Sequence, residues 1–385
     1  NSATSDAITM ASDGTCTANI TAVNGGPLSN RNIIINGDFQ IAQRSSLNTA
    51  VTATTDSEYL SVDRFRWRTY GGAGRASFTQ VSGDYPSSDF RYSLKAICTT
   101  VNSSEDQYDQ AIGYHVEGYD MQRFGWGRSN PKNCTLSFWA KTSVAGTYCV
   151  SFRQGAATKS QIKEYTLSAN TWTKVELTIT GDADSTWLNS DFTTNGKGIL
   201  IEWNLGKSNS KNTSTVNTWI TGNKVASNNQ VRWIATLGAT FSLTGVQLEV
   251  GSVATPFEHR SYGEELARCQ RYCVVYGSDQ EMHLGTAHAY NSTNINLSVH
   301  LPVPMRAKPS ASTVTSGGNW LQSYMGASGN ISNASISISD HGTDHTAMRV
   351  YLQNAHSGLT AGQALWLHTL AKASRFTHAH SHTHT

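Results

Sequence analysis

Apolar and polar positions alternate with a period of two along most of this chain. In Thr135–Lys141, Leu136, Phe138 and Ala140 alternate with Thr135, Ser137, Trp139 and Lys141. In Thr173–Ile179, Val175, Leu177 and Ile179 alternate with Lys174, Glu176 and Thr178. One apolar face per strand is the pattern of antiparallel sheets packed on one side. The same reading predicts strands at Ile33–Phe39, Phe65–Tyr70, Leu94–Thr100, Tyr148–Phe152, Gly198–Trp203, Gln230–Thr236 and Phe241–Val250. Turn signals such as Gly181-Asp182 and Asn195-Gly196 separate them. An all-β jelly-roll sandwich over residues 31–257 is the architecture that many short strands with hardly a helix predict.

The flanks read differently. Residues 1–30 alternate in a hairpin-like way but carry too few apolar side chains to bury a core, so they are expected to form a stem or attachment segment. Ser261 to Val275 is the best helix candidate, with Glu264 and Glu265 suited to its N-terminal end and Leu266, Cys269 and Cys273 on one face. It makes residues 258–276 a short helical connector. Ile295-x-Leu297-x-Val299-x-Leu301, Ile336-x-Ile338, Met348-x-Val350-x-Leu352 and Leu365-x-Leu367 alternate again, predicting a smaller β-sandwich over residues 277–376. Residues 377–385 end the chain as a histidine-rich strand.

Composition narrows the function classes. A length of 385 residues fits two to three domains at about 150 residues each. Only 15% of residues are charged and the net charge is +2, so Ser, Thr, Asn and Gln must cover the surface. Without a basic run the chain is a poor match for a nucleic-acid backbone. Apolar runs such as Ile33-Ile34-Ile35 fall far short of the ~20 residues of a membrane helix, so no membrane insertion is expected. No basic and then apolar leader follows Asn1, so no signal peptide is expected. The cysteines Cys16, Cys98, Cys134, Cys149, Cys269 and Cys273 show no zinc spacing and are expected as buried thiols. A Cys134–Cys149 pairing on adjacent strands stays open.

Several stretches resemble a jelly-roll domain common in bacteriophage tail-fibre proteins. Asn32-Ile33-Ile34-Ile35-Asn36-Gly37-Asp38-Phe39 and Ser61-Val62-Asp63-Arg64-Phe65 resemble its opening. Val116-Glu117-Gly118-Tyr119, Phe124-Gly125-Trp126-Gly127 and Leu136-Ser137-Phe138-Trp139 continue it. Phe241 to Gly251 looks like its closing strand, Glu264 to Tyr272 follows as in that family, and Pro304-Met305-Arg306-Ala307-Lys308-Pro309 looks like the start of its C-terminal β domain. The resemblance implies a virion-attached, extracellular homotrimer with a carbohydrate-binding-module-like jelly roll. It also implies a site for calcium near the first and last strands, for which Asp38 and Glu249 lie in the right elements, although Thr244 and Gln247 stand where acidic ligands would help.

On that basis the chain is expected to be a tail-fibre subunit that recognises the host by non-enzymatic binding of a surface glycan and holds other virion proteins through its N-terminal segment. Sugars stack their CH faces on aromatic rings and bond to amides and hydroxyls. The candidates are Tyr70, Tyr119, Trp187, Trp219, Trp320 and Tyr324, with Tyr85 and Tyr108 beside them. Asp63-Arg64 reads as a scaffold ion pair or strand cap. Glu117 and Glu249 could be imagined as a hydrolytic carboxylate pair, but nothing in the sequence brings them together. The alternatives are a structural virion protein (head decoration, neck whisker or fibre adaptor) that binds only other virion proteins, and a polysaccharide depolymerase. Finally, His378, His380, His382 and His384 project from one face of an extended strand about 6.6–6.8 Å apart. Two from each of three chains would supply six imidazoles to a transition metal such as Fe, Ni or Zn on the three-fold axis, similar to the His-x-His sites of trimeric phage fibre tips.

Overall fold

The computed structural model describes residues 8–10, 16–18, 29–55, 57–69, 74–102, 110–188, 194–276, 282–307, 312–313, 321–324, 328–331, 335–340, 347–353, 361, 364–369 and 376–377. An N-terminal hairpin pairs β1 (Ile8–Met10) with β2 (Cys16–Ala18). The jelly roll then runs through β3 (Val51–Thr52), β4 (Ser57–Tyr59), β5 (Phe65–Thr69), β6 (Arg75–Ser82), β7 (Tyr92–Thr100), β8 (Gln110–Glu117), β9 (Cys134–Thr142), β10 (Gly146–Gln154), β11 (Lys159–Leu167), β12 (Thr173–Ile179), β13 (Lys197–Asn204), β14 (Asn212–Thr213), β15 (Trp219–Thr221), β16 (Ala226–Ser227) and β17 (Thr240–Val250). Two sheets face each other, one in the order β15-β11-β10-β13-β8-β5-β4 and the other β12-β9-β17-β7-β6-β3. Between them the inward residues of both sheets, among them Phe65, Trp67, Tyr114, Phe138, Phe152, Trp203 and Leu248, form one continuous core. This is an all-β jelly roll, and the period-two reading located seven of its fifteen described strands to within about two residues but did not predict the long strands β6, β8 and β11.

Two predicted strands are not strands. Residues 33–39 run irregularly beside β17 because the Asn32 amide replaces a strand partner: its Oδ1 accepts from Ile34 N and from Leu248 N. Asn36 and Phe39 then take left-handed backbone angles (φ 64° and 57°), which a strand cannot contain. The segment predicted at 230–236 instead holds a 3₁₀ turn, Trp233–Ala235, that buries Trp233 and Ile234. A short helix the alternation did not predict, α1 (Gly118–Met121), follows β8.

The predicted connector helix is α2 (Tyr262–Gln270), one turn shorter than expected at its C-terminal end. Ser261 caps it, accepting from Glu264 N. Its buried Cys269 packs on Ile35 and Ile41, with Leu266 and Tyr272 alongside, so the helix lies against the opening segment of the jelly roll. C-terminal to it are β18 (Val275–Tyr276), β19 (Met282–Ala289), β20 (Ile295–His300), β21 (Ser312–Thr313), β22 (Leu321–Tyr324), β23 (Ser328–Ile331), β24 (Ser335–Asp340), β25 (Ala347–Gln353), β26 (Ala364–Thr369) and β27 (Phe376–Thr377). They form an antiparallel seven-stranded sheet, β23-β22-β26-β19-β20-β25-β24, and a three-stranded one, β18-β27-β21. The five described cysteines outside the N-terminal hairpin are free and buried. Cys134 and Cys149 lie in different sheets, on β9 and β10.

Candidate functional site

The outer face of the seven-stranded sheet is polar but closed. Strand alternation turns Arg66, Arg68, His115, Ser151, Arg153 and Glu202 away from the core, yet all are buried. Glu202 accepts from Arg68 Nη1 at 3.1 Å and forms an ion pair with Arg153 Nη2, 2.6 Å away. Arg66 donates to Ser57 Oγ (2.6 Å) and meets His115 Nε2 at 2.7 Å; a guanidinium cannot accept, so that ring nitrogen does. Gly113 makes room here, since a Cβ on it would sit 3.3 Å from Arg66 Nε. The segment after β13 covers part of this face, its Val225 and Ala226 packing on Cys149 and Ile162. The sheet therefore offers a charged, filled layer instead of an open groove.

At one end of that layer a cleft opens. It is lined by Arg44, Tyr59, Asp63, Arg64, His115, Val116, Glu117, Gly196, Lys197, Tyr272, Cys273 and Arg306, and its cavity is about 30 Å³. That is room for about two waters, so a pyranose ring can lie across the mouth but only a substituent can enter. The walls come from distant parts of the chain. Lys197 and Glu117 are paired residues of β13 and β8, Arg64 precedes β5, and Tyr272 follows α2. Arg306 is tied in by its backbone N–H to Arg271 O (2.9 Å) and by reciprocal contacts with Asn195.

Both carboxylates in the cleft are engaged. Glu117 takes a two-pronged contact from Arg271 (3.1 and 2.5 Å) and the Tyr272 hydroxyl at 2.5 Å. Burial pushes the Tyr272 phenol far up, so it stays a donor. Asp63 accepts from Arg44 Nη1 (2.9 Å), Gln43 N (2.8 Å) and Gln43 Nε2 (3.3 Å). Asp63 thus pairs with Arg44 and not with its sequence neighbour, which corrects the Asp63–Arg64 expectation. Arg64 instead stacks on the Tyr272 ring (guanidinium carbon 3.4 Å from the centroid), lies 4.9 Å from the Tyr114 ring centroid, and donates from Nη2 to His115 O at 2.6 Å. Its Nε–H has no partner, although the residue is only 5% exposed. Burial, with Arg64 adding repulsion, lowers the Arg306 guanidinium pKa against the pull of Tyr272 and Glu117.

The structure separates the aromatic candidates. Tyr119 is 52% exposed on α1, two residues beyond Glu117. Trp187 is fully buried and is corrected from glycan ligand to core residue. Its indole donates to Asp182 Oδ2 (2.8 Å), and its ring lies 4.9 Å from Trp126 and 5.0 Å from Trp219. Trp219, partly buried on the edge strand β15, donates to Thr180 O at 2.7 Å. Tyr85 is 39% exposed. Tyr324 ends β22. Tyr70, Tyr108, Trp320 and the histidines His378, His380, His382 and His384 lie outside the described residues.

The proposed calcium ligands are each occupied locally. Asp38 Oδ2 accepts from Gln40 Nε2 (3.1 Å), and burial together with nearby Glu265 raises its carboxyl pKa. Glu249 accepts from Thr255 N (2.8 Å), Thr255 Oγ1 (2.6 Å) and Gln247 Nε2 (2.8 Å). Among the described residues no cluster of three or more His, Cys, Asp or Glu is set to hold a metal. Glu117 and Glu249 sit in separate hydrogen-bonded surroundings, one facing Arg271 and the other Thr255.

The sequence reading missed the cleft itself: Arg44, Tyr59, Lys197, Tyr272 and Arg306 were not among its candidates. The available signal was weak, namely that Asp63-Arg64, Glu117, Tyr272 and Arg306 all fall inside the stretches that carry the family resemblance.

No protein-family model and no curated protein matches the sequence. Among solved structures the chain is similar to a family 4 carbohydrate-binding module, with 13% identity over 56% of this chain and 97% of that one and a TM-score of 0.28. It is similar to the enzymatically active domain of tailspike protein 4 of bacteriophage CBA120, with 14% identity over 57% of this chain and 21% of that one and a TM-score of 0.27. It is also similar to the CBM22-1 and GH10 modules of Clostridium thermocellum endo-1,4-β-D-xylanase 10B, with 9% identity over 60% of this chain and 30% of that one and a TM-score of 0.27.

Proposed function

We propose that this chain is a subunit of a bacteriophage virion appendage, a tail fibre, that attaches to a host cell-surface glycan without cleaving it. The observation that carries the reading is the cleft, where tyrosine rings and fixed guanidinium donors surround a small opening and both carboxylates are already engaged. Rings with a few convergent donors are what sugar recognition uses. Glycoside hydrolysis needs one carboxyl group free to give a proton and a second to act as nucleophile or base. Glu117, held by Arg271 and Tyr272, and Asp63, held by Arg44, suit neither task. Three copies of one weak site on a trimer would bind a cell surface far more tightly than one.

The test is binding of the purified full chain to host cells and to an array of bacterial surface glycans, with reducing-sugar release measured alongside. Retention on cells or glycans without sugar release supports the reading. Sugar release would replace it with a depolymerase. One observation favours a purely structural virion protein: the cleft lies at a joint, where α2 and Arg306 meet the jelly roll. Binding to virion proteins alone, with no glycan retained, would decide for that second reading.

A further inference from the structure

We infer that the cleft holds an oxyanion, the carboxylate or sulfate of an acidic sugar, with Arg64 as its main partner. The inference rests on the glycan-binding reading and narrows it to acidic glycans. Arg44, Arg64, Lys197 and Arg306 face two carboxylates, Asp63 and Glu117. Asp63 is matched by Arg44, and Glu117 by Arg271 from outside the lining. Among the described residues neither Arg64 nor Arg306 forms an ion pair, so the cavity keeps a surplus of fixed positive charge.

Arg64 is built for this role in three ways. It is nine-tenths buried with an unmet Nε–H, and a buried cation is costly unless an anion or hydrogen bonds compensate it. The Tyr272 ring holds its planar fork rigid, the geometry that suits paired contacts to a carboxylate or sulfate. Its backbone is left-handed at φ 71°, a conformation that a non-glycine residue keeps only where its surroundings impose it, and such positions collect at functional sites. The cavity of about 30 Å³ has the size of a carboxylate group, or of the oxygens of a sulfate entering from the mouth. The sugar ring would then remain outside.

The test is an array of matched neutral, carboxylated and sulfated oligosaccharides probed with the full chain, with Arg64→Gln and with Arg306→Gln. Arg306 is only partly buried, and its variant serves if Arg64→Gln fails to fold; a melting curve near that of wild type qualifies either one. Wild type is expected to prefer acidic members over their neutral counterparts by about tenfold or more. The preference should shrink in about 0.5 M NaCl and fall by a similar factor in the qualified variant. Preference for the carboxylated or for the sulfated set identifies the oxyanion. Equal binding of neutral and acidic glycans, unchanged in the variants, would overturn the inference and leave the glycan reading standing. Binding of no glycan at all would overturn both.

Discussion

Arg66, Arg68 and Arg153 sit with Glu202 on the far side of a strand from the core, in positions whose alternation predicts exposure, and all four are buried. Alternation tells which residues share a face, not whether the chain later covers that face, so this layer was legible as polar but not as interior. Glu202 is the anion that Arg68 and Arg153 share. Glu202→Gln removes the charge while keeping the shape, and breaking a buried pair in this way costs about 3–5 kcal/mol. Urea unfolding should show that loss; a change under about 1 kcal/mol would mean the layer is wetter than its burial indicates. The same limit explains Trp187. Asp184-Ser185-Thr186-Trp187 reads as an exposed loop, but its ring partner Trp126 is remote in sequence, and no local pattern announces that contact.

At the scale of elements, although β6, β8 and β11 went unpredicted, strands with a strict period-two pattern such as β9 and β12 were legible. The irregular opening at residues 33–39 was not, because one amide side chain and two left-handed residues override a good strand pattern. Glycine substitutions separate the two situations. In that opening, a Cβ on Gly37 would lie 2.1 Å from the Val246 carbonyl oxygen of β17. That atom is backbone and cannot swing aside, so Gly37→Ala should cost about 3 kcal/mol, the upper end of ordinary overpacking. Gly263, in the first turn of α2, has open space around its Cβ position. There Gly263→Ala should stabilise by about 0.5–1 kcal/mol, since alanine is the better helix former and restricts the unfolded chain. Denaturant midpoints of the two variants should move in opposite directions. A Gly37→Ala protein as stable as wild type would show that the opening segment does not dock on β17 as described.

For the whole molecule, low charge takes on a more specific meaning once burial is known. Charged residues are only 15% of the chain, and Asp63, Arg64, Arg66, Arg68, Glu117, Arg153, Glu202, Glu249 and Glu265 are spent in the interior. The charged share of the surface therefore stays close to the low value of the whole chain. Three like chains in close parallel packing favour such a surface, because on a three-fold axis every charge meets its own copies. Contacts between them would depend little on ionic strength. Light scattering is expected to give the mass of three chains at both low salt and about 0.5 M NaCl. The histidines at 378, 380, 382 and 384 extend this expectation to chemistry, since one chain cannot close six imidazoles around an ion and three chains can. Elemental analysis of the assembled protein should therefore return at least one transition metal per three chains, and a chain ending at Thr377 should return none. A metal-free trimer would separate assembly from the histidines.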